Sequence, residues 1–322
     1  MLGAAVDAPA VVLPGWLRRT VPDAEVTAAP GIEDVAIAAG AAIGVLDGVV
    51  RRQERWAGVW RQRLALAAAA ATAKQSGRVE DEAALRDAVL LTKPGDDVGP
   101  AGRMLLGWHR LAARPAENLL TGDDLGAVVE EFGHAHDDGA LGDLVGDVRR
   151  LSACGMVEMV VGAFSATERY RLGRPAGAWL ADALVAQRLD WTQAVPLLGA
   201  EVNAVGPARP RRSGAGIAAS IDDESTRAKN LLAALARAAV RAVDLSAELG
   251  RRADRLLGFA PKLRAKAADA VVERLLSDDA IVASEKIAGM SDRGLRRLFD
   301  RLVELGAVRE LSGRSTFRIY GL

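Results

Sequence analysis

The C-terminal stretch SDRGLRRLFDRLVELGAVRELSGRSTFRIYGL, residues 291–322, carries the clearest structural signals in the chain. Ser291 is a residue type that caps helix N-termini, and Gly306 is the type that follows a helix C-terminus. After Gly306, AVREL and TFRIY are strand-like runs, and the Ser312–Ser315 segment between them contains the glycine that a tight hairpin requires. The stretch therefore predicts a capped helix followed by a β-hairpin.

The predicted helix has one apolar face and one charged face. Helical spacing places the apolar residues on one side, namely Leu295, Leu298, Phe299, Leu302 and Leu305. Arg293 and Arg297 fall roughly opposite, together with Asp300 and Glu304, and further arginines flank them. We expect the apolar face to pack on a small core and the arginines to face outward.

The residues before this helix extend the pattern. Residues 261–279, PKLRAKAADAVVERLLSDD, have helical periodicity, and the short segment SEKIAGM follows at 284–290. The order helix, short helix, capped helix and hairpin resembles a winged helix-turn-helix domain. The predicted helix also starts in a way that resembles the recognition helix of such domains, with matching positions at Ser291, Gly294, Leu295 and Arg297. Fewer residues than usual separate Ala288 from Ser291, which leaves the angle of the recognition helix open.

The resemblance implies roles for the basic side chains. A recognition helix enters the DNA major groove by its N-terminal half, where arginines reach base edges or phosphates. Ser291 and the helix N-terminus would lie near a phosphate, and Arg314 would reach the DNA from the tip of the wing. The residues expected to contact double-stranded DNA are Ser291, Arg293, Arg296, Arg297, Arg301 and Arg314.

The rest of the chain predicts an all-α fold. Alanine and leucine are abundant and aromatic residues make up only 4% of the chain, a balance that favours helices. We predict an irregular lead-in over 1–30 and a helical body over 31–200. A linker or long loop follows over 201–221, where Gly, Pro, Ser and Arg replace periodic leucines. A long connecting helix over 222–258 and the winged helix-like domain over 261–322 complete the chain.

The residues favour a protein that is not an enzyme. The segment GAGIAA at 214–219 matches a dinucleotide-binding fingerprint, but the preceding PARPRRS is not a buried strand, so the match is accidental. His134 and His136 are metal-capable, yet their spacing points the rings apart on a helix, and Asp137 is better placed to cap the next helix. We find no catalytic constellation and expect no metal or cofactor. A helical enzyme is the third and least favoured class.

The overall composition and charge do not indicate which partners the protein binds. The 42 basic and 42 acidic residues cancel, so any basic surface is local. The one cysteine, Cys154, excludes an intrachain disulfide, and we find neither a signal peptide nor an apolar run of membrane-spanning length. We expect a cytoplasmic protein that does not enter a membrane.

Several stretches resemble the bacterial domain of unknown function 1403. They are WRQRLALAAAAATAKQSGRVEDEAALRDAVLL, PGDDVGPAGRMLLGWHRLA, the WLADALVAQRLDW and VPLLG segments, and the C-terminal stretch. The resemblance spans most of residues 33–322. It implies the architecture above and brings no activity, catalytic residue or cofactor.

Two hypotheses for function follow. The first is a DNA-binding protein, a transcriptional or plasmid-associated regulator, whose body supplies a homodimer contact or a partner surface, with the helix over 222–258 as the candidate contact. An ordinary packed helix is the alternative for that segment. The second is a protein–protein interaction module in which the wing packs on the body, since residues 283–322 carry a net charge of 8 − 5 = +3, modest for a DNA-binding module.

Overall fold

A computed structural model describes residues 11–21, 31–202, 216–263, 267–314 and 316–322, with the backbone alone over 216–223. Helices dominate these residues, which confirms the predicted all-α class. Nine helices precede residue 200 in the described part: α1 Gly15–Thr20, α2 Ile32–Arg51, α3 Ala57–Gln75, α4 Glu82–Leu90, α5 Gly99–Ala113, α6 Gly122–Glu131, α7 Asp138–Leu151, α8 Met156–Arg169 and α9 Gly173–Arg188. Short 3-10 helices occupy Ala116–Asn118, Leu198–Glu201 and Ala260–Lys262.

The remaining elements form the long helix and the C-terminal unit, by which we mean residues 267–322. They are α10 Gly216–Phe259, α11 Ala268–Ser277, β1 Ile281–Val282, α12 Asp292–Glu304, β2 Arg309–Glu310 and β3 Ile319–Gly321. The strands form an antiparallel sheet in the order β1-β3-β2, with Tyr320 opposite both Ile281 and Glu310. On this sheet the rings of Phe299 and Tyr320 stack with centroids 4.3 Å apart. This stacking fixes α12 against β3.

Side-chain caps begin several helices where the sequence indicates them. The Asp137 carboxylate accepts a hydrogen bond from the Ala140 amide at 2.7 Å, which confirms that it caps α7. Asp81 and Thr121 cap α4 and α6 in the same way. These caps satisfy amides that have no partner inside the helix.

Tryptophans anchor the core of the body. Trp60, Trp108 and Trp179 are completely or almost completely buried, and each indole N–H has an acceptor. Trp60 donates to the Ala242 carbonyl on α10 at 2.9 Å, so it also ties α3 to the long helix. The middle of α10 is buried within the chain and packs along α2, which makes it a core helix over Leu231–Ala239.

Several elements differ from the sequence-based expectations, and one of them is α1, a helix inside the lead-in that was predicted to be irregular over 1–30. The sheet has a third strand, β1, because the apolar pair Ile281–Val282 finds β3 as a partner, whereas only the two-stranded hairpin was expected. Residues 283–290 form turns rather than a short helix, and Gly289 has φ of +80° there. The helix expected over 261–279 begins only at Ala268, since Ala267 has φ of +64° and no helix continues through that conformation.

The long helix also begins earlier than expected. Its backbone is helical from Gly216, inside the segment predicted as a linker over 201–221. The RPRR run at 209–212 and the first two residues of GAGIAA lie outside the described residues. The division of the chain into separate domains stays a prediction.

A buried ion cluster joins the C-terminal unit to the body. Asp279 pairs with Arg63 of α3 and Arg86 of α4, and all three side chains are at least four-fifths buried. Close by, Gly58 meets the Ser277 backbone so tightly that an added Cβ would lie 2.7 Å from it. These contacts hold α11 against α3 and so set the position of α12. None of the helices in the described ranges is long and apolar enough to cross a bilayer.

Candidate nucleic-acid interface

The orientation of α12 follows from its two faces. Leu295, Leu298, Phe299 and Leu302 are at most 5% exposed and pack into the core, as the spacing predicts. The arginine side of the helix is therefore turned to solvent. Arg293, Arg296, Arg297 and Arg301 are all exposed.

The arginines of α12 differ in their electrostatic partners. Arg301 forms an ion pair with Glu304 at 3.1 Å. Arg293, Arg296 and Arg297 have no ion pair or side-chain hydrogen bond with any residue that the structure describes. Three uncompensated positive charges thus lie within the first two turns of the helix, where the helix dipole is also positive.

Ser291 has the expected position at the start of α12. Its hydroxyl oxygen accepts a hydrogen bond from the Gly294 amide at 3.2 Å, and the residue is exposed. The predicted N-cap is confirmed, and the other first-turn amides, which have no partner inside a helix, lie beside it. This end of the helix has the polarity that an anion requires.

Arg314 does not project freely from the tip of the wing. Its guanidinium forms an ion pair with Asp87 of α4, and its side chain is 43% exposed. The wing is therefore fastened to the helical body through this pair. The expectation of a wing cation that projects toward DNA differs from this arrangement, because Asp87 is close enough to neutralise it.

A second cluster of charged side chains, which the sequence did not predict, lies beside the wing. Arg318 approaches the carboxylates of Asp300 and Glu310 at 3.5 Å and donates to the Tyr320 hydroxyl at 3.3 Å. The Tyr320 hydroxyl and then Glu310 raise the pKa of Arg318. Phe317, with φ of +53°, stands 65% exposed beside it. The sequence signal for this cluster is the aromatic residue Phe317 directly before Arg318 in the wing.

A cavity of about 420 Å³ lies between this cluster and α12. Arg296, Asp300, Phe317 and Arg318 line it. The Asp300 carboxylate pairs with Arg318 and lines the cavity together with Arg296, so the positive charge there is partly balanced. The positive charge of α12 is least balanced at Arg293 and Arg297, which are not among the described residues that line this cavity.

The histidine pair does not form a metal site in the described residues. The His134 ring lies against Gly173, whereas the His136 ring lies against Gly126 and approaches Glu130 at 3.6 Å. The two rings therefore face different elements. No group of three His, Cys, Asp or Glu side chains within the described ranges is arranged to hold a metal ion.

Acidic side chains that lie close together at the start of α4 and before α5 have local structural partners. Asp81 caps α4, while Glu80 pairs with Arg78. Asp97 pairs with Arg103 at 2.9 Å. These pairings account for the carboxylates without a bound ion.

Comparison with protein-family models gives a match over nearly the whole chain. A family model described as "Protein of unknown function (DUF1403)" matches residues 5–322, which is nearly the whole chain. No curated protein matches at a significant level.

Proposed function

The chain belongs to the DUF1403 family, and since that family brings no established activity, we propose from the geometry of α12 that this protein binds double-stranded DNA. In this proposal α12 is the recognition helix of a winged helix-turn-helix and the β2–β3 loop is its wing. The role is that of a cytoplasmic regulator of transcription or of plasmid maintenance.

The topology of the C-terminal unit supports the proposal. The helix α11, the capped helix α12 and the β2–β3 hairpin follow one another in the order that the winged-helix resemblance leads us to expect, and β1 adds a strand to that order. The second helix is replaced by turns, so the link between β1 and α12 is shorter than usual. Arg293, Arg296 and Arg297 on the outward face of α12 are nevertheless exposed.

The observation that carries the proposal is the set of three exposed arginines on α12 that have no ion pair within the described part of the chain. Arg293 and Arg297 are separated by one helical turn, about 6 Å along the axis. That rise corresponds to about two base-pair steps of B-DNA. The side chains therefore match the spacing of neighbouring phosphates or base edges in a major groove.

The test is fluorescence anisotropy with a labelled duplex of random sequence, titrated over a salt series. We expect wild-type binding to weaken steeply with salt, and Arg293→Ala/Arg297→Ala to reduce the slope of log K against log salt by about 2. The control is Arg19→Ala/Arg149→Ala, which removes from the body two exposed arginines that form no ion pair with a described residue.

Two results would overturn the proposal. One is no binding by folded wild-type protein at low salt. The other is an equal loss of affinity in the two double variants, because binding would then depend on overall charge and not on α12.

A second candidate function is a protein–protein interaction module. The pair between Arg314 and Asp87 favours it, since a wing fastened to the body suits a structural role. A failure to bind DNA combined with unchanged folding of the α12 variant would support this second candidate.

Homodimer formation remains a prediction that both functions share. The central part of α10 is buried in its own chain, so we expect any two-fold contact to use other exposed surfaces of the body. Sedimentation equilibrium measures the stoichiometry directly.

A further inference from the structure

A groove on the other side of α12 has the composition of a ligand site. It lies between α12 and the C-terminal end of α10 and has a volume of about 500 Å³, within the range of small-molecule sites. Arg255 of α10 donates to the Gly306 carbonyl at 3.2 Å, and this bond fixes the two walls relative to each other.

The floor of the groove is apolar. It is formed by one aromatic and three aliphatic side chains, Phe259, Leu263, Leu298 and Leu305. Leu298 belongs to the buried core, while the other three are half-buried and leave apolar surface within reach of solvent. A hydrophobic ligand would gain free energy by covering this surface.

The rim of the groove is positive. Lys262, Arg297 and Arg301 line it, and no acidic side chain is among the described residues that line it. Lys262 lies over the Phe259 ring with its amine 5.7 Å from the centroid. Arg301 has Glu304 as its partner, but both side chains are more than three-fifths exposed, so this pair is weak and can exchange for another anion.

We propose that this groove binds a small organic anion, a molecule with an apolar body and one acidic group such as a carboxylate. The apolar body lies on Phe259 and Leu263, and the anionic group lies among Lys262, Arg297 and Arg301. Charge complementarity selects the anion, since a neutral molecule of the same shape leaves the three cations as they are.

The ligand site stands on the groove alone, whereas its coupling to DNA rests on the proposed function. Arg297 and Arg301 belong both to the rim and to the face assigned to DNA. An anion in the groove competes with DNA phosphates for these guanidiniums, so ligand and DNA weaken each other's binding.

The binding test uses two fluorescent probes that differ in charge. They are 8-anilinonaphthalene-1-sulfonate and its uncharged parent, N-phenyl-1-naphthylamine. We expect Lys262→Gln/Arg301→Gln to weaken sulfonate binding by about five- to tenfold and to leave binding of the neutral probe within about twofold. The matched control, Lys74→Gln/Arg149→Gln, removes two exposed charges outside the groove and should change neither. Octanoate should displace the sulfonate at concentrations where octanol does not.

The proposal is overturned if the rim variant leaves sulfonate binding unchanged or weakens both probes equally. The DNA arm is separate, because we expect saturating octanoate to weaken duplex binding at least about twofold in wild-type protein. Charge-dependent probe binding without DNA binding would retain the ligand site and refute the proposed function. DNA binding without charge-dependent probe binding would retain the proposed function and refute the ligand site.

Discussion

Removal of the Asp279 carboxylate should destabilise the protein more than any single change on its surface. Asp279 is 7% exposed and lies between the guanidiniums of Arg63 and Arg86, which are 16% and 10% exposed. Asp279→Ala would leave two buried positive charges without their anion. Loss of one member of a buried ionic cluster costs about 3–5 kcal/mol. For a chain of 322 residues this corresponds to a fall in Tm of about 4–7 °C.

The assay is thermal and urea unfolding followed by circular dichroism. The control is Asp254→Ala, which removes an exposed aspartate from α10 and should change the free energy of unfolding by less than about 0.5 kcal/mol. A second variant, Arg63→Met/Arg86→Met/Asp279→Leu, removes all three charges and should recover most of the loss. The Leu322 carbonyl accepts hydrogen bonds from Arg63 at 3.4 Å and from Arg252 at 3.1 Å, so the variant removes one of its two donors and leaves the other.

The same cluster predicts a pH dependence. Burial alone would raise the pKa of Asp279, but the positive charges of Arg63 and Arg86 outweigh it and hold the pKa below its ordinary value. The stabilisation is therefore present above about pH 4 and is lost as pH falls through the folded-state pKa. A cost below about 1 kcal/mol for Asp279→Ala at pH 7, or a triple variant no more stable than the single one, would refute the reasoning.

Two other predictions concern carboxylates with different surroundings. Asp182 is buried and accepts hydrogen bonds from the amides of Leu197 and Leu198 at 2.7 and 3.1 Å; burial raises its pKa to about 8. Its contribution to stability is full below about pH 4 and is lost as pH rises through 8, so between pH 5 and 8 wild type should lose up to about 1.4 kcal/mol per pH unit relative to Asp182→Asn. Parallel urea-midpoint profiles for the two proteins would contradict this. For the wing, Asp87→Asn should free Arg314, tighten DNA binding about twofold and steepen the salt slope by about 0.9, whereas Arg314→Ala alone should change affinity little. Equal anisotropy titrations for Asp87→Asn and wild type would show that Arg314 does not reach the DNA.

The helices could be predicted because their signals are local. Ser291 and Gly306 lie at the two ends of α12, and the apolar spacing between them specifies which face is buried. Gly306 has φ of +62°, the left-handed conformation that glycine adopts without strain. The capping residue, the apolar face and the terminating glycine all lie within the length of one helix, so they can be recognised without knowledge of the tertiary structure.

The features that sequence reasoning missed depend on distant partners. Strand β1 is two residues long and exists because Ile281 and Val282 pair with β3, almost forty residues later. Arg314 reads as a free cation in the sequence, yet its partner, Asp87, lies on a helix of the body. Likewise the anion-selective groove combines the end of α10 with α12. The spacing of residues along the chain does not indicate which distant residues come into contact.

The placement of the tryptophans has a consequence for spectroscopy. All six tryptophans precede residue 200, while the C-terminal unit contains only Tyr320 and two phenylalanines as its aromatic residues. Intrinsic emission excited at the indole band therefore reports on the body alone, and an opening of α12 and its sheet leaves that signal almost unchanged. The stacked pair of Phe299 and Tyr320 does not supply a separate signal, because Tyr170 and the indoles of the body absorb in the same band. A C-terminal unit that opens while the body stays folded is therefore almost silent in intrinsic fluorescence.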